Sequence, residues 1–345
     1  MNVGVRLWAS RACLVLGLLF ANAALADTHL VSRSIAAMGT QVTVSVMTDD
    51  DEGAHAAIAN SLDEIVRLER MMTTWRDDSE ISRLNAAAGK APVAVSKETF
   101  EVLQMAKQAS LWSNGAFDIS FYALHGLWKF DEDLEKKLPD PAEVSRRLPL
   151  IAWKSIRLDE KSHTAYLEKR GMAVNLGGIA KGYAVDRMAD ILRRAGYTNA
   201  LVQAGGDLLC AGTKNGKPWS AGIRDPRGGL KDVFALIRLE DHAFSTAGDY
   251  ERYFFLDGKR YHHILDPRTG NPAMASRSVT VYAKTALLAD ALDDAIFILG
   301  WKRGFEMIEK IPDVGAVAVD ADGTVHLSER MKGRVDVLHT PRNEP

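Results

Sequence analysis

AVNLGGIAKGYAVD, residues 173–186, is the stretch from which the rest of the chain can be read. Ala173 and Val174 read as the end of a short strand. Gly177 and Gly178 follow, and a helix is predicted to open at about Lys181. A glycine pair lets the backbone turn tightly and approach a ligand closely. A helix start leaves N–H groups facing outward, a generic site for anions to which Lys181 adds a mobile positive charge. Taken alone, these residues describe an ordinary turn with a solvated lysine better than a ligand site. They match neither G-x-G-x-x-G nor a Walker A loop, so the common nucleotide motifs do not explain them.

Working outward, residues 182–195 continue as a helix that turns Ala184, Met188, Ile191 and Leu192 inward. Residues 200–211 read as a strand broken by Gly205-Gly206-Asp207, and residues 219–226, 233–239 and 243–249 as further short strands. Residues 253–256 and 259–265 flank Asp257-Gly258, the strongest hairpin signal in the chain. Upstream, residues 28–46 alternate in the manner of strands, with Val42, Val44 and Val46 on one face and an interruption at Met38-Gly39-Thr40. Residues 52–72 and 99–113 carry helical periodicity, 73–85 read as a loop, 155–167 as a hairpin and 128–149 as a charged surface excursion. Strands mostly neighbour one another with few helices between them. The fold class is therefore α+β with antiparallel sheets, not a doubly wound parallel sheet.

Three further stretches carry chemistry. Gly115-Ala116-Phe117-Asp118 follows a helix stop at Asn114. Phe117 offers a flat face there. Asp118 either accepts from ribose hydroxyls or a ring amide, or caps the next turn. HHILDPRTG, residues 262–270, ends a strand and enters a Pro/Gly turn. Only one of two adjacent histidines can face a given side of a strand, so His262 and His263 are one core and one exposed residue and not a metal clamp. Asp266 either orients a histidine or caps the turn, Thr269 is placed to contact a phosphate, and Arg268 reads as structural or solvated. In ADALDDAIFILG, residues 289–300, Asp290, Asp293 and Asp294 share one helical face. Three carboxylates there repel unless a helix N-terminus, other donors or a cation compensates them. All-oxygen ligands suit Mg²⁺ or Ca²⁺, although the carboxylates lie on a helix and not in an EF-hand loop.

Together with Met38-Gly39-Thr40, these stretches in this order and spacing resemble the ApbE family, the FAD:protein FMN transferases, over about residues 35–300. The resemblance implies a T-fold-like domain over residues 27–345. It places Met38 against the flavin nucleotide. Trp75, where the family more often has tyrosine, is either stacked on a cofactor ring or simply buried. Ala116, Phe117, Asp118, Asn175, Lys181, Ile264 and Thr269 complete the implied nucleotide contacts. The implied magnesium is bound by Asp290, Asp294 and the Gly178 carbonyl, with Asp293 in the same cluster; Asp294 stands where the family usually has threonine. His263, directly before the Ile-x-Asp-Pro element, is the implied site histidine, with Asp266 as its catalytic companion; a histidine suits proton transfer near neutral pH. Gly205-Gly206-Asp207, similar in the family, reads as close strand packing with a turn carboxylate. The implied reaction is magnesium-dependent transfer of the FMN moiety of FAD to a threonine of a partner flavoprotein, releasing AMP. The acceptor would be a subunit of a membrane or periplasmic redox complex. The alternatives are an FAD pyrophosphatase using water at the same site and a non-catalytic periplasmic FAD-binding protein.

The chain as a whole bounds these readings. Residues 1–26 read as a secretory signal peptide, with Arg6 and Arg11, an apolar run at 12–20, and Ala24-Leu25-Ala26 before Asp27. The run is shorter than the ~20 residues of a membrane span, so export to a bacterial periplasm is expected, with inner-membrane anchoring the minority reading. Only Cys210 remains beyond it, which excludes an internal disulfide in the mature chain. A formal net charge of −2 over 345 residues leaves no basic excess to neutralise nucleic-acid phosphates.

Overall fold

In a computed structural model of the protein, which describes residues 28–130 and 136–343, eight strands form one central antiparallel sheet. They are β1 (His29–Ala37), β2 (Thr40–Thr48), β3 (Ala200–Ala204), β4 (Asp207–Ala211), β5 (His242–Gly248), β6 (Ser276–Ala283), β7 (Gly315–Asp320) and β8 (Val325–Leu327). Their order across the sheet is their order in the chain, so each connection is a hairpin or an excursion that returns to the neighbouring position. The α+β, antiparallel expectation holds. The predicted leader, residues 1–26, lies outside the described residues, as do 131–135 of the charged excursion. No helix among the described residues is long and apolar enough to cross a membrane.

Alternation along the strands produces three layers. Val42, Val44 and Val46 of β2 and Leu209 of β4 face a helical layer, whereas Met47, Leu208 and Cys210 face the opposite way. The helical layer is built from α1 (Asp51–Met72), α2 (Lys97–Trp112), α3 (Ala180–Arg194) and α4 (Ala286–Leu299). On the other face a small sheet of Trp219–Arg224, Val233–Leu239 and Val335–Val337 covers Phe244, Tyr282, Val317 and Val319. Each fully buried valine or leucine contributes roughly 1.5–3 kcal/mol relative to exposure, and this chain has to rest on such burial because its described cysteine, Cys210, is free.

Two tight turns fix the end of the sheet where the site lies. Met38 and Gly39 join β1 to β2 with φ of 49° and 71°, the left-handed pair that matches strand twist. Glu69 of α1 accepts a 2.8 Å bond from the Met38 N–H and so ties this turn to the helical layer. Beside it, Gly205 donates to the Gln41 carbonyl in the turn between β3 and β4.

Four local readings need correction. Residues 173–174 are irregular backbone and not a strand end, because the Asn85 side chain satisfies Val174 on both sides, donating to its carbonyl (2.9 Å) and accepting from its N–H (2.7 Å). The expected loop at 73–85 contains a short helix, Glu80–Ala86, started by the Ser79 cap. Trp75 is not buried: it is 86% exposed. The hairpin at Asp257-Gly258 forms, with both turn residues left-handed, between Tyr253–Leu256 and Lys259–His262; its second strand stops at His262 and not at 265, because Leu265–Asp266 pairs instead with Asn271–Pro272.

Candidate functional site

The glycine loop enters α3 without a side-chain cap at Ile179. Its free helix end is met instead from α4: the Gly182 N–H donates to Asp290 Oδ2 at 2.8 Å. The anion at this helix N-terminus is thus a carboxylate of the protein itself, a stabilising placement. Asp186, one turn further along α3, returns the arrangement by accepting from the first N–H groups of α4, at Ala286 (2.8 Å) and Leu287 (2.9 Å). The two helices are locked in register by reciprocal carboxylates. That register sets where Lys181 and Asp290 meet.

Lys181 Nζ lies 2.6 Å from Asp207 Oδ2 and 3.5 Å from Asp290 Oδ1. Burial pushes the lysine pKa down, but the Asp207 and Asp290 carboxylates outweigh it and hold the group above the ordinary lysine range. Asp207 is therefore a buried partner of the lysine and not a turn carboxylate. Its other oxygen accepts from Ser245 Oγ at 2.7 Å, and the same Oγ lies 2.6 Å from Asp293 Oδ2. One hydroxyl carries one proton, so both contacts can be satisfied only if a carboxylate is protonated.

Asp293 turns one oxygen to Ser245 Oγ. Its second oxygen accepts from the Asp294 N–H, so both oxygens are engaged within the fold. Burial and the neighbouring carboxylates raise the pKa of Asp290, Asp293 and Asp294. Asp294 Oδ2 lies only 2.9 Å from where a Cβ on Gly178 would stand, so its carboxylate rests on the glycine loop. Four carboxylates thus lie about one ammonium that stays 27% exposed, a balance that favours an added cation. Among the described residues no three His, Cys, Asp or Glu side chains converge as a ready-made cage. The fit is to a hard ion held by one or two carboxylates, a carbonyl, water and substrate oxygens, as Mg²⁺ prefers.

Of the adjacent histidines, His262 is the core residue: its Nε2 lies 2.7 Å from the Ala273 carbonyl and its ring meets Phe297 edge-on. His263, the expected site histidine, is pinned by its backbone N–H to the Arg252 carbonyl at 3.1 Å. Burial, with the nearby His262 and Arg252, lowers its pKa to about 4, so it is a neutral imidazole at neutral pH. Asp266 does not orient it. That carboxylate closes its own turn, accepting from the Arg268 backbone (2.9 Å) and guanidinium (2.8 and 2.7 Å). Thr269 is exposed in the same turn, and Ile264 is buried behind it.

The remaining expected contacts divide. Asn175 accepts from the Gly177 N–H (2.7 Å) and donates to Thr74 Oγ1 (3.0 Å), which ties the exposed Trp75 loop to the glycine loop. Met38 stands at the β1–β2 turn, partly packed on the core. Ala116 and Phe117 are buried, the Phe117 ring 3.7 Å from the Cβ position of Gly178. Asp118 does not present its carboxylate to a ligand. It is buried and accepts from Ser120 N–H, Ser120 Oγ and Trp153 N–H, which makes it the cap and brace of the following turn. Asp207 and Ser245 are the site residues that the sequence reading missed. Their signal was parity: Ser245 lies between Ala243 and Ala247 on the face of β5 that meets the helices.

These features define a class: an α+β protein whose central strands and paired helix ends bring a lysine together with a cluster of carboxylates. The ApbE family model matches residues 38–318, and the chain belongs to the ApbE family. An FAD:protein FMN transferase of Klebsiella pneumoniae is 32% identical over 316 residues, covering 91% of this chain and 96% of its own. One of Treponema pallidum is 33% identical over 323 residues, covering 89% of each. The crystal structure of the ApbE protein from Thermotoga maritima superposes with a TM-score of 0.81 at 34% identity, over 89% of this chain and 99% of that one. The flavin transferase ApbE from Vibrio cholerae gives 0.77 at 28% identity, with coverage of 89% and 99%.

Proposed function

We propose that this protein is a magnesium-dependent FAD:protein FMN transferase of the bacterial periplasm. The observation that carries the reading is Lys181, held between Asp207 and Asp290 beside the Gly178–Asp294 contact, with a neutral His263 close by. The named relatives support the same activity. Asp290, Asp294 and the Gly178 carbonyl are the residues that would hold magnesium. Bound there, it would neutralise charge developing on phosphoryl oxygens.

In the proposed reaction a threonine hydroxyl of the acceptor attacks the FMN-side phosphorus of FAD. A phosphoester to threonine forms, the bond to the bridging pyrophosphate oxygen breaks, and AMP leaves. His263 takes the hydroxyl proton; Asp266, occupied by Arg268, is left with the turn it closes. Lys181 supplies fixed positive charge to the anionic substrate. Trp75, exposed on a loop tied to Asn175, offers its indole face to a ligand ring. The acceptor would be a flavin-carrying subunit of an exported or membrane redox complex. Incubation with FAD and Mg²⁺, with and without such an acceptor, tests the reading. AMP release should require the acceptor; equal release without it would make the protein an FAD hydrolase, and unchanged FAD would make it a carrier.

A further inference from the structure

Arg252 is a cation on the rim of the site whose side chain has no ion-pair or hydrogen-bond partner among the described residues. It lies one residue before the Tyr253–Leu256 strand, and its carbonyl accepts from the His263 N–H at 3.1 Å. Its side chain reaches the opposite rim: Nη2 stands 3.6 Å from the Cβ position of Gly39, next to Met38 in the β1–β2 turn. It is exposed, and among the described residues no carboxylate pairs with it. Two nearby arginines are paired, Arg224 with Glu251 at 3.4 Å and Arg227 with Asp249 at 2.6 and 2.7 Å. Arg252 and Lys181 both act electrostatically on His263.

The ribbon that carries Arg252 is held in place. A two-stranded hairpin is marginal by itself, but Phe254 and Tyr261 stack at 5.4 Å, and Trp128 and Phe130 extend the stack at 6.0 and 5.8 Å. Trp128 Nε1 donates to the Gly270 carbonyl at 2.8 Å, which joins this stack to the turn after His263. A planar guanidinium on an anchored backbone, beside a pocket that takes charge-bearing oxygens, matches phosphate in geometry as well as sign.

We propose that Arg252 is a substrate-binding residue whose guanidinium holds the diphosphate of FAD on the His263 side of the pocket, opposite the α4 carboxylates. The assignment rests on the reading of the site as an FAD site. Its test is titration calorimetry of the full-length protein, Arg252→Gln and Arg252→Lys with FAD and with riboflavin, which has no phosphate. Arg252→Gln should bind FAD at least about tenfold more weakly, as expected for a lost charge-assisted bond, with Arg252→Lys in between and riboflavin affinity unchanged. Wild-type affinity of Arg252→Gln for FAD would overturn the assignment, as would equal weakening for FAD and riboflavin, which would mark a structural role. Wild-type protein that binds no FAD would overturn the functional reading, and the assignment with it.

Discussion

Replacing Gly182 by alanine sets two effects against each other, and geometry decides the sign. In a helix, alanine is favoured over glycine by about 1 kcal/mol. A Cβ at 182, however, would stand 2.3 Å from the Ala286 carbonyl oxygen, 2.6 Å from its carbon and 2.7 Å from Asp290 Cβ. These are backbone atoms and the base of a side chain, which cannot swing aside. The helices α3 and α4 must separate by roughly 1 Å to restore ordinary contact. Overpacking of this kind costs ~1–3 kcal/mol. Separation also stretches the 2.8 Å bond from Gly182 to Asp290, and a bond to a charged acceptor is worth about 1.5–3 kcal/mol. The net expectation is a loss of about 2–3 kcal/mol, or a melting temperature lowered by roughly 5 °C for a chain of this size. Thermal unfolding followed by circular dichroism measures it. A melting temperature equal to or above wild type would refute the close α3–α4 contact on which the site's register depends.

Three further outcomes are expected. Folding holds the His263 pKa at about 4, below its unfolded 6.5; the unfolded chain takes up that proton first, so stability is lost as pH falls from 6.5 through 4. His263→Gln should flatten this part of the pH–stability curve, and equal slopes for the two proteins would contradict it. Asp118→Ala strands three donors, at Ser120 N–H, Ser120 Oγ and Trp153 N–H; chemical denaturation should show a loss of at least about 2 kcal/mol, and a neutral result would deny the bracing role. Asp294→Thr should weaken Mg²⁺ binding by calorimetry yet regain transfer at raised Mg²⁺, whereas Asp290→Ala should not recover. Superimposable Mg²⁺ curves for Asp294→Thr and wild type would remove Asp294 from the ligand set.

Legibility in the sequence followed the range of the interactions. The valine alternation of β2, the α1 and α2 periodicities and the Asp257-Gly258 hairpin are set by near neighbours and were readable as such. The opposite held for backbone satisfied from afar: Asn85 serves Val174 across 89 positions, which no local pattern records. At the site, the residue types were visible but not their commitments. Asp118, Asp266 and Asp293 are carboxylates in suitable motifs, yet each has its oxygens engaged by the fold. Asp207 ran the other way, since a Gly-Gly-Asp turn read as packing places its carboxylate 2.6 Å from Lys181. Hydrogen-bond satisfaction is a property of the assembled layers, and it decides which polar groups remain for a ligand.

Transfer to protein is tested most directly by the mass of the acceptor. A candidate periplasmic flavoprotein subunit would be incubated with FAD, Mg²⁺ and this protein, then analysed intact and after digestion. One FMN-sized increment on a threonine is expected, with AMP in equal amount, and neither with His263→Ala. An unmodified acceptor accompanied by free FMN and AMP would contradict it.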